Sequence, residues 1–357
     1  MDLLHSSGVS STTYLQTHYS HSQGYFLLVS MATDLRNTFF LLFPIWFHVQ
    51  QAEAVKLVWV AVVGDWVNLM LKWLLFGERP YWWVQETGFY GNSSQPMIEQ
   101  FPMTCETGPG SPSGHAMGAA AVYYTMMSSL LALSKCVRVS LWTLFWCVQV
   151  CVCLSRVYVA AHFPHQVITG VMIDSMICFN IFQVFWWLNT SAGLGRSSRP
   201  VLRSYVLTSI LLLSLALLLY LCLQLVGVNL LWSVEKAWRW CRRAEWVSVD
   251  TSPFASLFRN TGTLLGLGLG LHSPLYAHAH RTVVSRGADG ATYRVTCLSA
   301  TLLLLQLFDS AFQPPVHSGA LFYLLSFCKS AIVPLATVAI VPYCVTTGLG
   351  YKAEKLL

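Results

Sequence analysis

Residues 105–118, CETGPGSPSGHAMG, stand immediately before an apolar run, and how they are read decides how the chain around them is read. Four glycines, two prolines, two serines and a histidine cannot build a packed core, but they shape a loop and hand it to the start of a helix at about His115. The free N–H groups at a helix N-terminus and the positive end of its dipole make a site for an anion. Ser113 and Gly114 are placed to supply those N–H groups, with the Ser113 hydroxyl as a further donor. His115 is placed beside them to give or take a proton.

Outward from this loop the chain is oily. Of 357 residues 55% are apolar and only 10% are charged, with a mean hydropathy of +0.54. Apolar stretches of about 18 residues or more recur along the whole length. The expected fold is an all-α polytopic membrane protein: one integral membrane domain over 1–357, with a catalytic helical core at 25–188 and additional transmembrane helices at 189–357. Nine spans are expected, at roughly 25–48, 53–76, 116–133, 140–161, 165–188, 203–228, 254–272, 293–312 and 320–347. The polar first 24 residues carry neither a basic n-region nor an apolar h-region, so no cleavable signal peptide is expected. Eleven cysteines, most of them inside apolar runs, read as small hydrophobes rather than as a disulfide framework. The net charge of +6 is spread over loops and leaves no nucleic-acid footprint.

An odd number of spans puts the termini on opposite sides, and the loop cations choose the orientation. One set of loops holds eleven: Lys56, Lys135, Arg138, Arg196, Arg199, Arg203, Arg281, Arg286, Arg294, Lys352 and Lys355. The opposite set holds six, Arg79, Arg156, Lys236, Arg239, Arg242 and Arg243, four of which cluster in one loop, EKAWRWCRRAEW. The C-terminus is therefore expected in the cytosol and the N-terminus in a lumen, together with the 105–118 loop. Asn92, in the sequon Asn92-Ser93-Ser94, is then an expected glycosylation site, whereas Asn189 is expected to stay bare.

Charged groups in a bilayer are costly and mark function or an internal pair. In DWVNLMLKWLLFGERP, Asp65, Asn68, Lys72 and Arg79 fall at helical spacing on one face, with Lys72 and Arg79 roughly 10 Å apart. Two cations on one stripe suggest an anion, although Lys72 snorkelling to the interface is an equally ordinary use of a lysine. Further on, SRVYVAAHFPHQ brings Arg156 and His162, with Pro164 suited to the first turn of the next helix. Six residues after Arg156, His162 reaches the same pocket only if the helix breaks between them. Lys72, Arg79 and Arg156 neutralise a phosphate, Ser113 and Gly114 bind its oxygens, and of His115 and His162 one attacks phosphorus while the other protonates the leaving oxygen. No Cys/His metal spacing accompanies them, so phosphate-ester cleavage through a phosphohistidine, with no metal or cofactor, is expected. His165 competes with His162 for the nucleophile's role on position alone.

Lys72 with Arg79-Pro80, Pro112-Ser113-Gly114-His115, and Ser155-Arg156 followed by His162 together resemble the three-part signature of the type-2 phosphatidic acid phosphatase and haloperoxidase superfamily. The resemblance implies His162 as nucleophile, His115 as general acid, and Lys72, Arg79, Arg156, Ser113 and Gly114 on the phosphoryl oxygens. FPIWFH, KWLLFGERPYWWV, AAHFPHQV, DTSPFASL and FYLLSFCKSA narrow it: the whole chain looks like the glucose-6-phosphatase catalytic-subunit family. That family implies a nine-span endoplasmic reticulum protein that hydrolyses glucose 6-phosphate to glucose and phosphate at a lumenal site, in gluconeogenesis and glycogenolysis. A separate transporter for glucose 6-phosphate is the implied functional partner. The alternatives are a lipid phosphatase or pyrophosphatase with the same pocket, a weakly active paralogue, or a non-catalytic transporter or scaffold.

The chain departs from much of the superfamily at Gln166, where an Asp four residues after the nucleophile orients its ring. Gln166 accepting the imidazole N–H, or Asp34 standing in, is the expectation. In the long first lumenal loop, Trp82, Trp83, Glu86, Glu99 and Thr104 offer aromatic faces and polar groups for a sugar or are equally structural, and Glu106 and Thr107, as substrate contacts or support, lie nearest the phosphate loop. Gly262, Gly266 and Gly270, four apart, predict close helix packing, and Asp309 and Lys329 an intramembrane pair.

Overall fold

The computed structural model describes residues 1–91, 94–128, 130, 135–173, 201–286, 290–315 and 319–348. Asn92, Asn189, the C-terminal lysines and the second half of the expected 165–188 span lie outside the described residues. Regular structure among the described residues is helical, apart from one isolated bridge between Glu106 and Ser248. In chain order the main helices are α1 (Asp2–His18), α2 (Gln23–Ala32), α3 (Phe43–Val49), α4 (Gln51–Leu75), α5 (Pro80–Glu86), α6 (Gly114–Ser128), α7 (Lys135–Tyr158) and α8 (Pro164–Ile173). They continue with α9 (Leu202–Leu225), α10 (Trp232–Trp240), α11 (Pro253–Leu271), α12 (Pro274–Arg286), α13 (Gly290–Ala311), α14 (Gly319–Leu335) and α15 (Val341–Gly348).

Among the described residues five segments are long and apolar enough to cross a membrane: Gln51–Glu86, Lys135–Tyr158, Leu202–Leu225, Ala291–Ala311 and Gly319–Gly348. The pair Ser20–Ala32 and Leu35–Val49, bent by 54°, makes a sixth if it is one span. Of the three other expected spans, α11 holds Arg259, Asn260 and four glycines, while α6 and α8 are the described parts of the other two. Leucines along α9, such as Leu211, Leu217 and Leu218, face outward, as an apolar surrounding requires.

The chain divides into two compact units. One comprises 1–35, 63–181 and 214–257, the other 36–62, 182–213 and 258–357. The first contains every residue of the candidate site. Its α6 packs on α7 and α8, and α2 lies along α7. Two helices end on non-glycine residues in the left-handed region, Phe76 at φ +49° after α4 and Ala160 at φ +56° after α7. A side chain there costs on the order of 1 kcal/mol, and each such turn throws the next residues, Gly77–Arg79 and Ala161–His162, off the helix axis. The break expected before His162 is therefore present, and Pro164 opens α8 as the sequence predicts.

α1 was hidden in the polar N-terminus. Its buried residues His5, Gly8, Val9, Thr12 and Gln16 recur at helical spacing on one face. The His5 ring stacks on Phe163, centroids 4.4 Å apart. The Gln16 amide donates to Tyr158 O (2.7 Å) and accepts from Glu99 N (3.0 Å). The helix thus lies against the segment that carries His162.

The cysteine expectation needs correction. Cys105 and Cys241, 136 residues apart, form a disulfide that ties the start of the phosphate loop to the segment after α10. The cations of that segment are also engaged: Lys236 pairs with Glu78 (2.9 Å) and Glu86 (2.8 Å), Arg239 lies over Trp240 and Arg243 over Trp246. Val9, Trp82, Trp83, Cys105, Phe163, Ala237 and Val247 share one core, which puts α10 on the same side as the site loops.

In the second unit, α11 and α14 approach closely. A Cβ on Gly262 would stand 2.4 Å from Phe327 O, and one on Gly266 2.1 Å from Ala331 O, so only glycine fits. Lys329 and Asp309 pair at 2.9 Å, as the sequence predicts, and Arg36 joins them at 3.0 Å.

Candidate active site

Three loops meet in the first unit, fastened to one another by backbone groups beside the apolar core that Trp82, Cys105 and Phe163 share. Gly110 N donates to Gly77 O (2.7 Å), which joins the Arg79 segment to the phosphate loop. Asn68 on α4 donates to Pro112 O (3.2 Å). The Gln166 amide closes the third side, donating to Glu78 O (2.7 Å) and accepting from Phe163 N (3.1 Å), while its backbone carbonyl takes Ser113 N–H (3.2 Å). Arg79, fully buried, donates to Gly108 O (2.7 Å), Pro109 O (3.4 Å) and Ala161 O (3.0 Å). One planar guanidinium therefore ties the phosphate loop to the segment of His162, a task suited to its fixed fork of five donors.

This geometry revises two expectations and selects the structural alternative for the residues of the first loop. Arg79 does not continue the Asp65–Asn68–Lys72 stripe, because α4 ends at Leu75; it enters from the extended segment after Phe76. The Ser113 N–H is taken by Gln166, so the N–H groups of Gly114 and His115 are the ones that open α6, with the Ser113 hydroxyl accepting from Ala116 N. Thr107 is buried and bonded to Ser248 and Thr251, a support for the loop rather than a surface for a sugar. Trp82 and Trp83 are core residues, Glu86 is paired with Lys236, and Thr104 donates to Val159 O.

The third revision concerns the group that orients the nucleophile. His162 is fully buried, and its Nδ1 lies 2.7 Å from Gly110 O. A carbonyl only accepts, so Nδ1 carries the proton and Nε2 is the bare nitrogen. Nε2 makes no hydrogen bond; Glu106 Oε2 stands 3.9 Å away. Neither Gln166 nor Asp34 is the orienting group. Gln166 acts one step back, its amide bracketing Gly110, and Asp34 lies in the electrostatic range of His115 and Arg156. His165 stacks on Phe163 and His5 and is not among the residues that bond Glu106.

Around Nε2 stand the remaining charges. The Glu106 carboxylate bonds Arg79 Nη1 (3.0 Å) through one oxygen and Arg156 Nη2 through the other, and it lies 3.8 Å from His115 Nδ1. Arg156 is fully buried and also donates to Ser30 Oγ. Lys72 Nζ stands 3.9 Å from where a Cβ of Gly114 would be, so the absent side chain leaves the helix start open to the ammonium. Burial favours the neutral form of Glu106, but the Arg156 and Arg79 charges outweigh it and hold the carboxyl well below the usual range. Burial, then Arg79 and Arg156, keep the His162 imidazole neutral far below its ordinary range; burial and Arg156 lower His115 to about 4. The arrangement gathers one bare imidazole nitrogen, a second histidine, three cations and an open helix N-terminus around the Glu106 carboxylate.

Gly110 tests the orientation of the nucleophile. A Cβ there would stand 2.3 Å from Glu78 O and 3.0 Å from both Gln166 amide atoms. Gly110→Ala is expected to displace the carbonyl that aims His162 and to lower kcat by about 10²-fold, with KM little changed. A KM rise at unchanged kcat would contradict it.

Residues 53–190 match the PAP2 superfamily model. Glucose-6-phosphatase catalytic subunit 1 of Mus musculus is 52% identical over 367 residues, covering 100% of this chain and 99% of the mouse protein. The Haplochromis nubilus protein of the same name is 47% identical over 99% of both chains, and Glucose-6-phosphatase 2 of Homo sapiens is 44% identical over 99% of both. No solved structure matches the chain.

Proposed function

The chain belongs to the glucose-6-phosphatase catalytic-subunit family, and we propose that it hydrolyses glucose 6-phosphate to glucose and phosphate through a phosphohistidine at His162. The observation that carries the proposal is the bare Nε2 of His162, fixed by Gly110 O and facing buried cations. Nε2 attacks phosphorus as the bond to the sugar's O6 breaks, and His115 delivers a proton to that oxygen. Water then attacks the phosphohistidine, giving a proton to His115 and releasing phosphate. Lys72, Arg79, Arg156 and the N–H groups of Gly114 and His115 hold the phosphoryl oxygens, where charge accumulates in the transition state.

The protein acts as a nine-span endoplasmic reticulum protein with its site and N-terminus in the lumen and its C-terminus in the cytosol. The loop cations support this orientation. A sugar phosphate cannot cross a bilayer unaided, so a glucose-6-phosphate transporter feeds the site. Asn92 on the same side is the glycan acceptor, which loss of an endoglycosidase-sensitive mobility shift in Asn92→Gln tests.

Purified protein in detergent should release phosphate from glucose 6-phosphate. Release from phosphatidic acid alone, untouched by soluble sugar phosphates, would replace this reading with a lipid phosphatase.

The acid–base state sets a pH dependence. With His115 lowered to about 4, the free site holds it neutral at physiological pH, so its proton arrives with the phosphate monoanion, whose second pKa is about 6. His162, also held neutral by a lowered pKa, stays a nucleophile as pH falls through the ordinary histidine range. The kcat/KM profile is expected to fall on the alkaline side of about pH 6 and to show no acid limb near 6.5. A profile rising through pH 6.5 to a plateau would assign the proton chemistry elsewhere.

A further inference from the structure

Glu106 is the carboxylate paired with Arg79 and Arg156, two of the cations that are to receive the substrate. For Nε2 of His162 to attack, phosphorus must come to about 3–3.5 Å with its oxygens on Arg79 and Arg156. Those arginines are already joined by the two Glu106 oxygens, which stand 3.9 Å from His162 Nε2 and 3.8 Å from His115 Nδ1. Two anions cannot share this volume.

We propose that Glu106 is the resting occupant of the phosphate site, a tethered carboxylate that the substrate displaces and that returns to expel product phosphate. The inference rests on the phosphatase reading above.

The surroundings of Glu106 fit a side chain that swings on a fixed backbone. Cys105 is bonded to Cys241, and Thr107 N–H is held by Thr251 Oγ1 (3.1 Å). Glu106 N–H itself donates to Thr104 O (3.0 Å), and its carbonyl accepts from the Tyr81 hydroxyl (3.3 Å). Displacement is therefore a rotation of the side chain, with no loop opening. The resting pair also explains how two fully buried arginines persist near Lys72 before substrate arrives: an uncompensated buried charge is strongly destabilising. A phosphoryl group with three free oxygens outcompetes one carboxylate with two, while a carboxylate tethered at high effective concentration competes well with phosphate as it leaves.

The test compares inorganic phosphate as a product inhibitor of wild type and Glu106→Gln. Glutamine keeps the size of the side chain but removes its charge, and the inhibition constant is expected to fall about ten- to a hundredfold, the scale of one charge-assisted contact, with kcat lowered by slow release. Weaker or unchanged inhibition in a folded variant would overturn the proposal. Because Glu106→Gln could fold poorly, wild type bound to inorganic phosphate is the second measurement: its structure should show the Glu106 carboxylate off both arginines. A carboxylate still joined to Arg79 and Arg156 beside bound phosphate would sink the proposal and leave the hydrolase standing. Failure of wild type to hydrolyse glucose 6-phosphate would instead count against the hydrolase.

Discussion

His162→Ala is expected to lower kcat for glucose 6-phosphate by about 10⁴-fold or more and to leave no phosphoryl group on the protein. Protein exposed to glucose 6-phosphate labelled in its phosphate and quenched in alkali, which preserves phosphohistidine, should carry label in wild type and none in the variant. His162 has no substitute nearby. His165 is engaged in stacking on Phe163 and His5, and His115 stands beside the Glu106 carboxylate with its own proton to manage. Folding should survive, because the ring makes one hydrogen bond and its Nε2 makes none. Residual label on His162→Ala would move the nucleophile to another residue. His115→Ala separates the roles: an acid that assists the leaving group is worth about 10²–10⁴-fold, and its loss should slow label formation without abolishing it.

Arg79→Ala is expected to remove activity and much of the stability together. The guanidinium is buried and holds three carbonyls from two loops as well as one oxygen of Glu106. Its loss leaves Gly108 O, Pro109 O and Ala161 O without this donor and half of the Glu106 charge uncompensated, at a cost of about 3–5 kcal/mol by the standard of broken buried pairs. Thermal unfolding in detergent, followed by tryptophan fluorescence or size exclusion, reads this out. Arg79→Lys restores the charge but not the planar fork, so it should remain destabilised and nearly inactive. A lysine variant as stable as wild type would show that charge alone matters at this position and that the fastening of loops does not.

The types and order of the chemical groups were legible in the chain. An apolar composition with recurrent long runs left little besides a helical membrane protein, and the described spans carry helices where expected. Pro164 after Arg156 marked the break that frees His162, since a proline of fixed φ opens a helix and cannot continue one. Gly262 and Gly266 announced a close helix contact by spacing alone. These are properties of local backbone geometry and of the solvent a segment meets, which neighbouring residues decide.

What only the tertiary structure decided are the partners. The proton on His162 is placed by a backbone carbonyl, Gly110 O, and a carbonyl belongs to every residue, so no side-chain pattern points to it. Arg79 reads as a stripe residue until the helix is seen to end at Leu75, because a left-handed Phe76 is a choice that long-range packing imposes. Cys105 and Cys241 are 136 residues apart, and Gln16 meets Glu99 and Tyr158 over 83 and 142. Glu106, read as a substrate contact or a support, lies between two arginines because closure of three loops concentrates cations that an anion must neutralise. Sequence determines which groups a chain carries and where its helices begin; which group meets which, at 3 Å and out of water, is set only when the loops close on one another.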